Sequence, residues 1–147
     1  MTRAAHVREQ ASGDFFVSHL AHIRKNGVPQ PLCEHLLGVA SLASDNAAKL
    51  DLPLVGELLG ILHDLGKYST EFQSYLKSAV GLLNQDEDDD YVNAAQMRGK
   101  VDHSTAGAQL IWRTLSQRDQ LSSFIGQMLA LCIASHHSGL IDCLSTE

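Results

Sequence analysis

The stretch Gly60-Ile61-Leu62-His63-Asp64-Leu65-Gly66-Lys67 places a histidine and an aspartate side by side at the end of an apolar segment. Imidazole nitrogens and carboxylate oxygens are both ligands of divalent transition metals. The two oxygens of Asp64 could also bridge two cations roughly 3.5–4 Å apart, as two-metal hydrolases require. Gly66 is expected to end the preceding helix in a left-handed turn, which would leave His63 and Asp64 at a helix end. The pair alone leaves an alternative open, namely a capping aspartate beside a core histidine.

Further histidines favour the metal interpretation because each lies at the start or end of an apolar periodic segment. They are His35, His103, His136 and His137. In a helical bundle, such segment ends can meet at one place. Taken singly, each of these residues could instead be a capping, core or surface histidine. Taken together with His63 and Asp64 they predict six ligands, and a bridging carboxylate would let this set hold two metals.

Length and composition predict one globular domain. The chain has 147 residues, of which 44% are hydrophobic, and this is enough for a single core. No apolar run approaches the roughly 18 residues of a membrane helix, and the N-terminal residues lack the apolar segment of a secretory signal. Cys33, Cys132 and Cys143 show no metal-binding spacing, so buried or free thiols in a reducing cytoplasm are expected.

The charge pattern limits the kinds of partner. A net charge of −6 argues against non-specific binding of duplex DNA, which needs clustered Lys and Arg. A nucleic-acid substrate stays open because two bound cations would reverse the local sign of the potential. The acidic run at residues 86–90 lacks the spacing, glycine and terminal glutamate of an EF-hand calcium loop. A solvated surface loop over residues 81–100 is therefore predicted, with a short helical piece near Val92–Met97.

Apolar residues recur at helical spacing along most of the chain, whereas no alternating strand pattern and no internal repeat is found. The first predicted helix covers about residues 32–50, and the second starts at Asp51-Leu52-Pro53, with Asp51 as its cap, and ends at the His-Asp pair. A third is capped by Ser69 or Thr70, a fourth by Asp102 or Ser104, and the last runs over about Asp119 to Ser135. Residues 1–18 are predicted to form a mobile lead-in. His19 and His22, three residues apart, would share one face of a helix, or they are partly exposed histidines of a lead-in segment. The predicted fold is an all-α bundle with a metal site at converging helix ends.

Five sequence blocks occur in a fixed order from about His19 to the end of the chain. They are Glu34-His35-Leu36, residues 60–68, Phe72-Gln73, residues 102–108 and residues 136–140. This order resembles the HD superfamily of metal-dependent phosphohydrolases, and more closely the HD nuclease domain of type I CRISPR nuclease-helicases. Generic HD phosphatases share the His-Asp pair, whereas the blocks at 102–108 and 136–140 are more particular to the CRISPR branch.

The resemblance implies an endonuclease of CRISPR antiviral defence that cuts single-stranded DNA, with RNA as an alternative substrate. It implies two divalent cations (Mn, Co, Ni, Fe or Mg) and two-metal hydroxide attack on the phosphodiester. The implied partners are a helicase, fused or separate, and a surveillance complex. No association with a membrane is implied. Carried over position by position, one metal would be held by His35, His63 and Asp64, and the second by Asp64, His103, His136 and His137.

Lys67 matches a family lysine near the scissile phosphate, so the resemblance implies a catalytic role for it together with Asp64. Its alternative is a helix-end lysine that satisfies exposed carbonyls. The Gly66-Lys67 dipeptide is not part of a phosphate-cradling loop, because Ile61 and Tyr68 stand where that motif needs a glycine and a Ser or Thr.

One feature departs from the family pattern. The family completes its first metal site with an aspartate well downstream of the paired histidines, whereas this sequence ends at Glu147 and Asp142 is expected to belong to a local turn. We therefore expect a weakly held first metal or a C-terminally incomplete domain. Two other functions stay open, a nucleotide or cyclic-nucleotide phosphohydrolase of the HD superfamily and a catalytically idle fragment that binds metal or a partner.

Overall fold

The structure is a computed structural model that describes residues 19–139. The chain folds as two units. Within the described residues, the first unit comprises 19–35 and 67–102, and the second comprises 36–66 and 103–139. The predicted lead-in at residues 1–18, Asp142 and Cys143 lie outside the described residues.

Helices account for most of the described residues. They are α1 (Leu32–Ala47), α2 (Pro53–Leu62), α3 (Thr70–Ala79), α4 (Ala94–Met97), α5 (Thr105–Ser116) and α6 (Gln120–Ala134). Short 3-10 turns at Ala48–Leu50 and Leu65–Tyr68 follow α1 and α2. The prediction of a helical HD-type domain is confirmed, and within residues 19–139 no helix is both long and apolar enough to cross a membrane.

The expectation that His19 and His22 share a helical face is wrong. Residues Leu20–Ile23 form strand β1, which pairs antiparallel with strand β2 (Pro29–Pro31). The physical reason is a tertiary contact that stabilises the strand. The side-chain amide of Gln73 on α3 accepts from the Leu20 N–H and donates to the Leu20 carbonyl, each at 2.9 Å. Gln73 is 5% exposed, so this side chain satisfies the strand's buried backbone in the first unit.

The second unit is built around a small core contributed by three helices. Its buried apolar residues are Leu62, Ala108, Ile111 and Ile133. Leu62 is the last residue of α2, Ala108 lies in the first turn of α5, and Ile133 lies in the last turn of α6. The core therefore gathers one end of each helix, and the residues just beyond those ends are the candidate ligands.

The predicted cap of α3 is confirmed at Ser69, whereas the predicted cap of α2 at Asp51 is wrong. Ser69 accepts from the Phe72 N–H at the start of α3, and Asp119 accepts from the Ser122 N–H at the start of α6. Asp51 does not cap α2, since it adopts a left-handed conformation (φ 60°) and ends the preceding 3-10 turn. The acidic residues 86–90 lie in the irregular connection between α3 and α4.

Asp119 generates a stability prediction. Hydrogen bonds from the side chain and backbone of Ser122, at 2.6 and 2.9 Å, lower the pKa of Asp119 from its ordinary value of 3.8. A lowered folded-state pKa means that the ionised form is favoured by folding, so its stabilising effect is present above pH 3.8 and is lost as the pH falls through the folded pKa.

We therefore expect Asp119→Ala to melt a few degrees below the parent protein at pH 7, measured by circular dichroism. The difference in Tm should shrink on acidification to about pH 3. Asp119→Asn retains the cap acceptor and is the matched control, with a smaller loss at pH 7. A difference that stays constant down to pH 3 would contradict the assignment.

Candidate metal centre

His63 and Asp64 follow directly on α2, as the sequence predicts for a helix end. His63 is the C-terminal cap residue, and its N–H donates to the Leu59 carbonyl at 3.0 Å. Asp64 is 3% exposed. A carboxylate that is removed from water requires positive charge or hydrogen-bond donors around it, so its surroundings decide the chemistry of the site.

Backbone carbonyls fix the orientation of two imidazoles at this carboxylate. His63 Nδ1 lies 2.7 Å from the Gly60 carbonyl, and His136 Nδ1 lies 2.7 Å from the Ile133 carbonyl. A carbonyl only accepts, so each Nδ1 carries a proton, and Nε2 is the ring nitrogen that faces Asp64. These Nε2 atoms lie 3.1 Å and 3.4 Å from the two carboxylate oxygens of Asp64.

His103 and His137 complete the group. His103 Nε2 lies 3.7 Å from Asp64 Oδ1 and 2.6 Å from His137 Nε2. His103 precedes α5 and His137 follows α6, so each comes from a helix end that the core of the second unit holds in place. His137 is exposed, whereas His103 and His136 are half-buried, so the group opens to solvent on the His137 side.

This donor set fits a divalent metal ion. Ligand atoms of Asp64, His103, His136 and His137 all lie within 4.8 Å of one another. His136 Nε2 is buried and has no hydrogen-bond partner within residues 19–139. A buried lone pair facing a carboxylate oxygen is satisfied when a cation lies between them, and imidazole with carboxylate is a ligand combination that such metals accept.

Two predicted site residues belong to the first unit. His35 lies in the first turn of α1, with its ring centroid 5.8 Å from that of His22. Lys67 lies in the 3-10 turn after α2, where its Nζ is 5.5 Å from the centroid of the Phe72 ring and its carbonyl accepts from the Gln73 amide. The metal-binding role of His35 and the catalytic role of Lys67 stay predictions.

The predicted left-handed turn at Gly66 is wrong, and the glycine is needed for a different reason. Gly66 lies in the 3-10 turn Leu65–Tyr68, and its N–H donates to the His103 carbonyl at 3.1 Å. A Cβ at Gly66 would overlap that carbonyl oxygen. The glycine therefore lets the backbone of a candidate ligand approach the turn that follows Asp64.

Sequence reasoning missed the groups that support the ligands. The carbonyls of Gly60 and Ile133 orient two histidines, and each lies three residues before the histidine that it contacts. Gly107 has no side chain, so α5 can approach the Leu62 carbonyl closely. A Cβ at position 107 would overlap that carbonyl oxygen. Every residue carries a backbone carbonyl, so the identities of residues 60 and 133 do not reveal this role. The only signal in the sequence is the histidine that lies just past each helix end.

Comparison with known proteins identifies the family. The sequence matches the family described as "Cas3, HD domain" over residues 21–144, which is most of the chain. The chain belongs to the Cas3 HD family. Searches among curated proteins and among solved structures found no match to the chain.

Membership of the Cas3 HD family agrees with the geometry of the second unit. The chain is a metal-dependent HD nuclease domain of CRISPR defence, with a hydrolytic activity and a nucleic-acid substrate. The resemblance inferred from the His-Asp pair and the two later histidine blocks is confirmed. The cofactor class, divalent metal, is supported independently by the Asp64–His103–His136–His137 group.

Gly66 generates a prediction about this Cas3 HD site. Gly66→Ala should push the His103 backbone away, lower stability by about 1–3 kcal/mol through overpacking and weaken metal binding about 10–100-fold through lost ligand support. Urea unfolding and calorimetric metal titration measure the two effects.

Gly38→Ala is the matched control, because nothing lies within 4 Å of a Cβ at this position of α1. That variant should gain about 0.5–1 kcal/mol from the better helix former and bind metal like the parent. Equal metal affinity in Gly66→Ala and Gly38→Ala would rule out the supporting role of Gly66.

Proposed function

We propose that this Cas3 HD domain is an endonuclease that hydrolyses phosphodiester bonds of single-stranded DNA with two divalent cations. The observation that carries the proposal is the buried carboxylate of Asp64, faced by the Nε2 atoms of His63, His103 and His136 within 3.7 Å. Family membership supplies the reaction class. A helicase partner, which the resemblance implies, would deliver the strand in single-stranded form.

The residues of the second unit would act mainly by holding and aiming ligands. Asp64 offers two oxygens from a buried position, and the carbonyls of Gly60 and Ile133 keep Nε2 of His63 and His136 toward it. His103 and His137 add nitrogens from two other helix ends. When bound, divalent cations supply a Lewis acid for the phosphoryl oxygens and lower the pKa of a bound water.

Charge makes substrate binding depend on the metal. The chain carries a net charge of −6, and the candidate centre itself contains a carboxylate, so a phosphodiester approaching the apo site meets repulsion. Bound cations invert the sign of the potential at the site. Lys67 is proposed to add a point charge for a substrate phosphate.

The nitrogen-rich ligand set favours transition metals over Mg²⁺. Three of the four ligands in the Asp64–His103–His136–His137 group are imidazoles, whereas Mg²⁺ prefers oxygen ligands and retained water. Affinity should rise from Mn²⁺ through Co²⁺ to Ni²⁺, following the general order for such ligands.

We expect Ni²⁺, Co²⁺ or Mn²⁺ to raise the Tm of the protein, since a ligand at 100 times its Kd stabilises by about 2.7 kcal/mol. Mg²⁺ at the same concentration should have a smaller effect. His136→Gln should lose most of the shift, whereas His6→Gln removes an imidazole outside the six predicted ligands and should retain it. Equal shifts in both variants would mean that metal binds elsewhere.

The nuclease proposal is tested with circular single-stranded DNA, which has no ends and is opened only by endonuclease action. The metal-loaded protein should linearise and then fragment the circle, and Asp64→Ala should reduce cutting to background. Asp45→Ala, an exposed aspartate on α1, is the matched control and should cut like the parent. Cutting that persists in Asp64→Ala would refute the assignment, as would a parent protein that cuts nucleotides but no circle.

A further inference from the structure

A cavity of about 250 Å³ adjoins the candidate metal centre in the second unit. Its walls come from α1, α2 and α6 and from the residues that follow α2 and α6. The lining residues are Val39, Ala43, Leu59, Gly60, His63, Cys132, Ile133 and His136. Two of them, His63 and His136, also face Asp64, so whatever occupies the cavity lies directly beside the metal ligands.

The volume and the lining residues of this cavity suit a single flat ring. Pockets for drug-sized ligands have volumes of about 300–1,000 Å³, so this cavity is too small for a whole nucleotide. The imidazoles of His63 and His136 stand nearly perpendicular, with an interplanar angle of 81° and centroids 5.2 Å apart. A ring stacked parallel to one imidazole would lie perpendicular to the second imidazole and make an edge-to-face contact with it. Both contacts are favourable aromatic arrangements.

We propose that this cavity binds one unpaired nucleobase of the nucleic-acid strand whose phosphate lies at the metal centre. The inference rests on the proposed function and adds a base subsite to it. Unpaired bases are commonly held by stacking on aromatic side chains, histidine included. A base and its own phosphate are joined through one sugar, so base binding here would position the neighbouring phosphodiester.

The cavity walls also predict how selective the subsite is. Apart from the two histidines and the Cys132 thiol, the lining residues are aliphatic or glycine. Such walls stack and exclude water, but they offer no side-chain amide or carboxylate to read a Watson–Crick edge. The subsite therefore accepts every base, and an abasic position gains no binding free energy from it.

Cys132 provides a readout that does not depend on cleavage. Its thiol is exposed and lies in the cavity wall, and Cys33 on α1 is a second exposed thiol outside that wall. We would alkylate the metal-loaded protein with iodoacetamide and follow both cysteines by peptide mass spectrometry. The additives are a short thymidine oligonucleotide and an abasic oligonucleotide of equal length and charge.

The thymidine strand should slow alkylation of Cys132 roughly tenfold, in line with stacking worth ~1–3 kcal/mol per base, and the abasic strand should not. Cys33 should react at the same rate throughout. Equal protection of Cys132 by both strands, or protection by neither, would overturn the base subsite.

A cavity-filling variant tests the same inference through turnover. Ala43→Leu places a larger side chain in the cavity, and it should cut thymidine strands about tenfold more slowly while cutting abasic strands like the parent. Ala134→Leu is the matched control, since Ala134 lines a separate groove of about 310 Å³ that contains no histidine. Equal losses in the two variants would contradict the proposal.

The two proposals fail separately. Cutting of circular DNA without base-dependent protection of Cys132 would remove the subsite and leave the nuclease. Base-dependent protection in a protein that cuts no circle would remove the nuclease and leave a base-binding cavity beside a metal site.

Discussion

The burial of one carboxylate is the constraint on which the second unit depends. Asp64 is almost fully removed from water, and an ionised carboxylate in that position costs several kcal/mol unless positive charge compensates it. Three imidazole nitrogens surround it within 3.7 Å, one from the neighbouring residue His63 and two from other segments of the chain, His103 and His136. A nitrogen lone pair and a carboxylate oxygen attract each other only when a proton or a cation lies between them. This arrangement of donor atoms therefore fits a bound metal ion.

Helix ends make this arrangement possible. The last carbonyls of a helix have no partner within the helix, and in α2 and α6 a histidine three residues later uses one of them. The same ends are held together by the contact of Leu62, Ala108 and Ile133. Packing of three apolar residues therefore sets the spacing of the candidate ligands, and helix termini set the orientation of two of them.

The helical class was predictable from the sequence, and so was the group of residues that the structure brings together at Asp64, because both depend on local patterns. Periodic apolar residues marked the helices, and the Asp64, His103, His136 and His137 group was expected from its position at segment ends. The pairing of Leu20–Ile23 was not predictable, because it depends on an amide of α3 that is distant in sequence. Gly66 was assigned to the wrong effect, since close approach to His103 leaves no trace in the local sequence.

The carbonyls that orient His63 and His136 belong to the peptide backbone, and this has an evolutionary consequence. A supporting side chain can be lost by one codon change, whereas a carbonyl persists whatever residue occupies the position. Mutations can therefore replace a ligand, and so change which metal ion is preferred. They change the orientation of the remaining imidazoles less easily. Such a centre can change its metal while the direction in which its rings point is inherited unchanged.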